Sequence, residues 1–259
     1  MPIDWLEQTR ARSFLRSSDG QKYQRVALQF PDTLLEHAAS CAEDLQDLFA
    51  KEETARTCFI LGDTSYGSCC VDETAAQHAD ADLILHYGAT CLSKSFFFFP
   101  PFPQRRQTQR MIRRTSHLPV YYLFGEATDD MLDDHLQDVV TDCLAQLEER
   151  LECLVVADLP YQHYVAPFTS LCRAKAPERT FYETRVHRFY DPAQPNEVSA
   201  GVLLHGRHCP PSFSLQRPHH LLFLGSPSTK TLEQIALTQP HANVKHFTLM
   251  SGKLSLTLE

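Results

Sequence analysis

Five short apolar, β-branched or aromatic segments, at residues 25–30, 58–62, 83–87, 120–124 and 153–156, recur with helical stretches between most of them. Short strands without polar alternation are buried on both faces, and strands of that kind separated by helices build a parallel sheet. The helices are directly readable. Over 34–49 and 129–151 apolar positions return every three or four residues, and the second stretch opens on Asp129 and Asp130, which suit a helix N-terminus. The expected fold class is therefore α/β, with parallel sheets flanked by helices. Right-handed crossovers send all strand C-termini to one edge. That edge collects Pro31-Asp32, residues 63–70 and 88–95, Gly125-Glu126 and residues 158–161. Ligands of open α/β sheets bind there, so the functional loops are expected to converge on it.

A Pro- and His-rich stretch at 191–218 interrupts the pattern, after which Leu221-Leu222-Phe223-Leu224-Gly225 and residues 229–237 restart a strand and a helix. The expected organisation is one α/β domain over 1–190, a linker over 191–218 and the start of a second similar domain over 219–259. Two strands and a helix cannot cover both faces of a parallel sheet, so the sequence reads as a truncated product. With 259 residues, 43% of them hydrophobic, there is ample material for a core. A formal charge of -8 supplies no overall positive field for nucleic acid or an anionic membrane. The N-terminus, Met1-Pro2-Ile3-Asp4-Trp5-Leu6-Glu7, carries charges where a secretory signal needs an apolar run, so a cytoplasmic location is expected. The run Phe96-Phe97-Phe98-Phe99-Pro100-Pro101-Phe102-Pro103 is proline-broken and far short of the roughly 20 residues of a spanning helix. Nine cysteines spread through strands and helices read as reduced thiols or metal ligands rather than as a disulfide framework.

The densest chemical signal is Leu61-Gly62-Asp63-Thr64-Ser65-Tyr66-Gly67-Ser68-Cys69-Cys70-Val71-Asp72-Glu73: a strand end, a glycine-punctuated loop and a helix start. Cys70 falls at or just before that helix, where free N–H groups and the helix dipole favour a thiolate. Gly62 and Gly67 are read as allowing a tight turn. The next strand ends in His86-Tyr87-Gly88-Ala89-Thr90-Cys91-Leu92-Ser93, which brings Cys91 to the same edge. Two thiolates from adjacent loops can share one metal or cluster. Against this stands the plainer reading that free cysteines are mostly buried packing residues. No close C-x-x-C pair is present here, and two lone thiolates do not complete tetrahedral zinc, so an iron–sulfur cluster with ligands from elsewhere fits more easily. Of the adjacent Cys69 and Cys70, only one is expected to face the site and the other to pack inward, and the role of Cys69 stays open.

These segments, together with Leu28-Gln29-Phe30-Pro31-Asp32, resemble the diphthamide synthase subunits. The resemblance is firm over 23–93 and looser to about 249, and the Tyr66-Gly67-Ser68-Cys69-Cys70-Val71-Asp72 form is closer to the second subunit than to the catalytic first, where alanine tends to stand in place of Ser68. Members build three similar α/β domains, each giving one cysteine to a 4Fe-4S cluster. The resemblance makes Cys70 the first ligand and Cys91 the second, both metal- and cofactor-binding; the domain that bears the third lies outside this chain, and no catalytic residue is assigned. It further implies a heterodimer with the catalytic first subunit, whose cluster binds S-adenosylmethionine and, by donating an electron, cleaves a carbon–sulfur bond. The released 3-amino-3-carboxypropyl radical attacks a histidine of elongation factor 2, the first step of diphthamide synthesis. Binding of S-adenosylmethionine to this chain itself is not implied. The implied role is an accessory one, supporting reduction of the catalytic cluster together with an electron-donor protein, diphthamide biosynthesis protein 3. The alternative, from a different class, is a scaffold that stabilises the catalytic subunit without a cluster of its own.

Other candidates carry less. His205-Gly206-Arg207-His208-Cys209 has zinc-compatible composition but reads as a solvated, proline-flanked loop. Arg105, Arg106, Arg110, Arg113 and Arg114 could hold phosphate but read as a basic surface segment. Asp63, Asp72 and Glu73 are explained by capping and dipole pairing. No G-x-G-x-x-G or P-loop sequence is present.

Overall fold

The computed structural model describes residues 3–4, 6–62, 69–90, 92, 118–127, 132–147, 151–193, 203–225, 231–233, 235 and 242–247. The chain forms two compact units, one of Leu6–Phe124 with Arg188–Asn196, the other of Met1–Trp5 with Gly125–His187 and Glu197–Glu259. Among the described residues no helix is long and apolar enough to cross a membrane.

After the short strand β1 (Ile3–Asp4), the first unit runs α1 (Gln8–Arg16), β2 (Arg25–Gln29), α2 (Ala38–Lys51), β3 (Thr57–Ile60), α3 (Glu73–His78), β4 (Leu83–Tyr87) and β5 (Val120–Leu123). The second unit takes up β6 (Glu126–Ala127), α4 (Leu132–Ala145), β7 (Glu152–Ala157), α5 (Val165–Lys175) and β8 (Phe181–Glu183). The chain then returns to the first unit for β9 (Phe189–Tyr190) before completing the second with β10 (Leu203–Leu204), β11 (Arg207–His208), β12 (His219–Leu224) and β13 (Ala242–Phe247).

In the first unit the strands lie in the order β3-β2-β4-β5-β9, parallel except for β9. Their unbroken apolar runs are accounted for by burial on both faces: Val26, Ala27, Leu28, Leu83, Ile84, Leu85, Val120 and Leu123 are fully buried. Each large aliphatic side chain among them contributes roughly 1.5–3 kcal/mol. A six-residue 3-10 turn, Asp32–His37, leads from β2 into α2, which buries Cys41, Leu45, Leu48 and Phe49. Helix α1 covers the sheet with Ala11, Phe14 and Leu15, and Phe14 stacks on Tyr121 with ring centroids 3.9 Å apart.

The second unit holds an all-parallel sheet in the order β13-β12-β7-β8. On one cluster α4 and α5 pack Val139, Val140, Cys143, Phe168 and Cys172 against Val155 and Leu222. The other cluster joins Leu154, Val156, Leu221 and Phe223 to Leu204, Cys209 and Phe213.

The organisation expected over 1–190, 191–218 and 219–259 therefore differs from the one observed. Apolar periodicity identifies residues 153–156 as a strand but does not say which strand lies beside it. β7 is flanked by β12 and β8, so the fifth strand belongs to a different sheet from the first four. The stretch read as a linker contains Leu204, Arg207, Cys209 and Phe213, all buried in the second unit, where Arg207 donates from Nε to the Ala157 carbonyl at 2.8 Å.

Candidate functional site

The C-terminal ends of β2 and β4 and the start of α3 form one corner of the first unit. β2 ends on Gln29, whose register partner in β4 is His86. Both are buried, and a buried polar side chain at the end of an apolar strand requires partners. The Gln29 amide finds them on the turn that carries the two adjacent cysteines. Its Nε2 donates to the Cys70 carbonyl at 2.7 Å, and its Oε1 accepts from the Asp72 N–H at 3.0 Å. Asp72 in turn caps α3, accepting from the Ala75 N–H at 2.9 Å, so capping accounts for this carboxylate as expected.

A second tie comes from the end of β4. The Thr90 hydroxyl donates to the Cys69 carbonyl at 3.2 Å and accepts from the Leu92 N–H at 3.3 Å. Gly88, at φ 84, is required here: a Cβ on it would stand 2.7 Å from Pro31 Cγ. At Gly62 a Cβ would meet nothing within 4 Å among the described residues, and the turn that it is read as allowing runs on into residues outside them. Gly67 and Asp63 lie outside the described residues, as do Cys91 and the arginines from Arg105 to Arg114.

Within this frame the flanking Val71, Asp72 and Leu92 are buried while Cys69 and Cys70 are both half-exposed. Their sulfurs lie 3.9 Å apart. The expectation that one of the two packs inward is corrected: neighbouring residues of a turn, unlike those of a strand, need not alternate between faces. The helix that follows has six residues, and Cys70 stands two positions before its N-cap Asp72, so less helix-dipole help reaches the thiol than the sequence reading assumes. Beneath the turn, burial pulls the His86 imidazole down to about 4, against an opposing pull from its own and the Cys70 backbone, leaving it neutral at neutral pH.

The other described cysteines contrast with this pair. Cys41, Cys58, Cys143, Cys153, Cys172 and Cys209 are all buried. Burial pushes the Cys58 thiol up to about 11 and those of Cys153 and Cys209 to about 12, while a hydrogen bond with Cys172, then burial, raises Cys143 further. These are packing residues. The reading of residues 205–209 as a solvated loop is likewise corrected, because Arg207 and Cys209 are buried and Cys209 belongs to the second unit's core. Tertiary packing, which composition does not report, decides this.

A thiolate-bound metal group fits Cys70 in donor chemistry and access: a soft sulfur, half-exposed, on a turn whose backbone is already fixed. Among the described residues no three His, Cys, Asp or Glu side chains gather into a metal site. Sequence reading missed Gln29 and Thr90 as functional candidates, although both stand in the quoted motifs. The available signal was a polar residue closing an otherwise apolar strand.

The model of the diphthamide synthesis protein family matches residues 30–258. A Xenopus laevis relative named 2-(3-amino-3-carboxypropyl)histidine synthase subunit 2 is 30% identical over 230 residues, covering 89% of this chain and 41% of its own. The relative of the same name from Schizosaccharomyces pombe is 32% identical over 256 residues, covering 98% and 42% respectively. The chain thus spans about two fifths of the length of these curated relatives. A crystal structure of Dph2 from Pyrococcus horikoshii superposes with a TM-score of 0.56 at 14% identity, covering 99% of this chain and 62% of that one; a second structure of the same protein contains a 4Fe-4S cluster. At that identity the likeness speaks to the α/β fold. With a family model matched along nearly all of its length, the chain belongs to the diphthamide synthesis protein family.

Proposed function

We propose that this chain is an iron–sulfur part of the second, accessory subunit of the 3-amino-3-carboxypropyl transferase that modifies a histidine of elongation factor 2 in the cytoplasm. The observation that carries the proposal is the half-exposed Cys70 on a hydrogen-bonded turn at the sheet edge, in a chain of this family. Cys70 and Cys91 hold the cluster, and a further cysteine completes the set from outside this chain. When bound, the 4Fe-4S cluster supplies one-electron chemistry, here in support of reducing the catalytic subunit's own cluster. The protein residues fix the thiol. Gln29 and Thr90 hold the turn, and the buried Cys58, Cys143, Cys153 and Cys209, whose pKa values are raised, stay protonated and do not compete for iron. The partners in this reading are the catalytic first subunit, as a heterodimer, and the electron donor diphthamide biosynthesis protein 3. S-adenosylmethionine is used by the complex.

The test is anaerobic reconstitution with iron and sulfide, in complex with a first subunit whose cluster cysteines have been replaced. Broad visible iron–sulfur absorption that disappears in Cys70→Ala or Cys91→Ala is the expected result. A colourless wild-type complex overturns it and leaves a scaffold without a cluster.

A further inference from the structure

Gln29 is a costly choice for its position. The rest of β2's buried run is Val26, Ala27 and Leu28, and a buried amide without partners is destabilised by the desolvation of each unmet group. An apolar side chain would serve the sheet as well. The Gln29 amide instead spends both of its functional atoms on one turn of three residues, donating to Cys70 at 2.7 Å and accepting from Asp72 at 3.0 Å. The two bonds fall on either side of the buried Val71, so they fix the peptide planes that flank it. Thr90 adds a brace from the neighbouring strand end, joining the Cys69 carbonyl to the Leu92 N–H. The backbone of the cysteine turn is therefore held from two strands by buried or half-buried groups, while the two cysteines themselves are half-exposed. A ligand turn tied in this way does not have to be ordered by the metal, which removes part of the entropic cost of binding.

We infer that Gln29, with Thr90 as its counterpart on the next strand, is a positioning residue that sets the Cys70 turn in ligand geometry before iron arrives. The inference rests on the reading of Cys70 as a cluster ligand. Loss of a partner behind a metal ligand typically weakens metal binding about 10- to 100-fold. Gln29→Leu removes both bonds. Gln29→Glu preserves size and the acceptor toward Asp72 but places a second acceptor against the Cys70 carbonyl. Thr90→Val removes the second brace without changing shape.

Two measurements separate this inference from the cluster reading. In the metal-free chain, amide hydrogen exchange at Asp72 and the rate of Cys70 alkylation report the turn directly; both are expected to rise in Gln29→Leu, with the thermal midpoint preserved in at least one of the three variants. After anaerobic reconstitution of the complex, iron per chain and the paramagnetic resonance of the reduced cluster report the ligand geometry. Wild type that retains iron beside a Gln29 variant that retains about tenfold less, or gives a shifted resonance, is the expected result. Equal iron, resonance and Asp72 exchange in wild type and all variants overturn the inference. Wild type without iron overturns the cluster reading alone, and Asp72 exchange and Cys70 alkylation then decide the brace: a rise in Gln29→Leu supports it, no change overturns it.

Discussion

At the scale of single residues, accessibility separates cysteines that composition treats alike. A thiol reagent applied to the folded chain at neutral pH is expected to modify Cys69 and Cys70 while Cys41, Cys58, Cys143, Cys153, Cys172 and Cys209 stay protected until unfolding; peptide mass spectrometry reads the difference. Gly88 is a second residue with one permitted identity. Alanine there combines a left-handed backbone with a Cβ 2.7 Å from Pro31 Cγ, and Gly88→Ala is expected to cost about 2 kcal/mol, measured as a shift in the urea midpoint. Asp191 gives a pH signature. Burial raises its pKa, but the Ala193 N–H at 2.9 Å, Lys22 at 3.2 Å and the Tyr23 hydroxyl at 3.1 Å outweigh this and hold the carboxyl below its usual range. A carboxyl depressed on folding stabilises above its unfolded pKa, about 3.9, and loses that contribution as pH falls through the lower folded value. Asp191→Asn is therefore expected to destabilise at neutral pH, with the gap closing below about pH 4 in urea titrations.

At the scale of elements, one buried arginine joins α1 to the start of β3. Arg56 donates to the carbonyls of Tyr23 at 2.9 Å, Leu15 at 3.0 Å and Gly20 at 3.2 Å, and its guanidinium lies 4.5 Å from the Phe49 ring centroid. It thereby satisfies backbone groups that the end of α1 and the following loop leave open. Arg56→Met keeps the stem but removes the donor from three carbonyls, of which Gly20's still accepts from the Tyr23 N–H at 3.3 Å, and a loss of about 3 kcal/mol is expected in thermal or chemical denaturation. The same economy recurs at both sheet edges. In each unit a parallel strand runs into a six-residue 3-10 turn, Asp32–His37 after β2 and Leu159–Tyr164 after β7, followed by a helix. In each, a glycine on the adjacent strand end makes room, Gly88 against Pro31 and Gly225 against Asp158. The two units thus repeat one local design, though the half-exposed vicinal cysteines occur at the edge of the first.

At the scale of the whole molecule, the chain does not complete one unit before starting the other. β9 returns to the first sheet after β8 has been laid in the second, and β12 then covers the edge of β7. A fragment ending at residue 190 keeps β9 but strips β12 and β13 from β7, exposing an apolar strand whose Cys153, Leu154, Val155, Val156 and Ala157 are fully buried in the intact chain. Bare apolar edges of that kind pair with other chains. The fragment 1–190 is expected to aggregate or to bind a hydrophobic dye strongly, whereas the full chain is not; size exclusion and dye fluorescence check this.

What the sequence by itself determined was local. Periodicity specified the central strands β2, β3, β4, β5, β7 and β12 to within about two residues at either end, as with β4 at Leu83–Tyr87, because burial on both faces leaves an unbroken apolar run, and it missed short or peripheral strands such as β8 and β9. The glycine-punctuated Cys69-Cys70 turn and its place after a strand were equally legible, since turn residues and strand ends are written in neighbouring positions. Partnership was not. Which sheet receives β7, whether residues 203–218 form a linker or a core wall, and which cysteines are accessible all depend on contacts between residues far apart in the chain. The bonds that join Gln29 to Cys70 and Asp72 span 41 and 43 positions, and that joining Thr90 to Cys69 spans 21. The tertiary structure decided these, because a hydrogen bond requires two groups at one place and the sequence records only one group at a time.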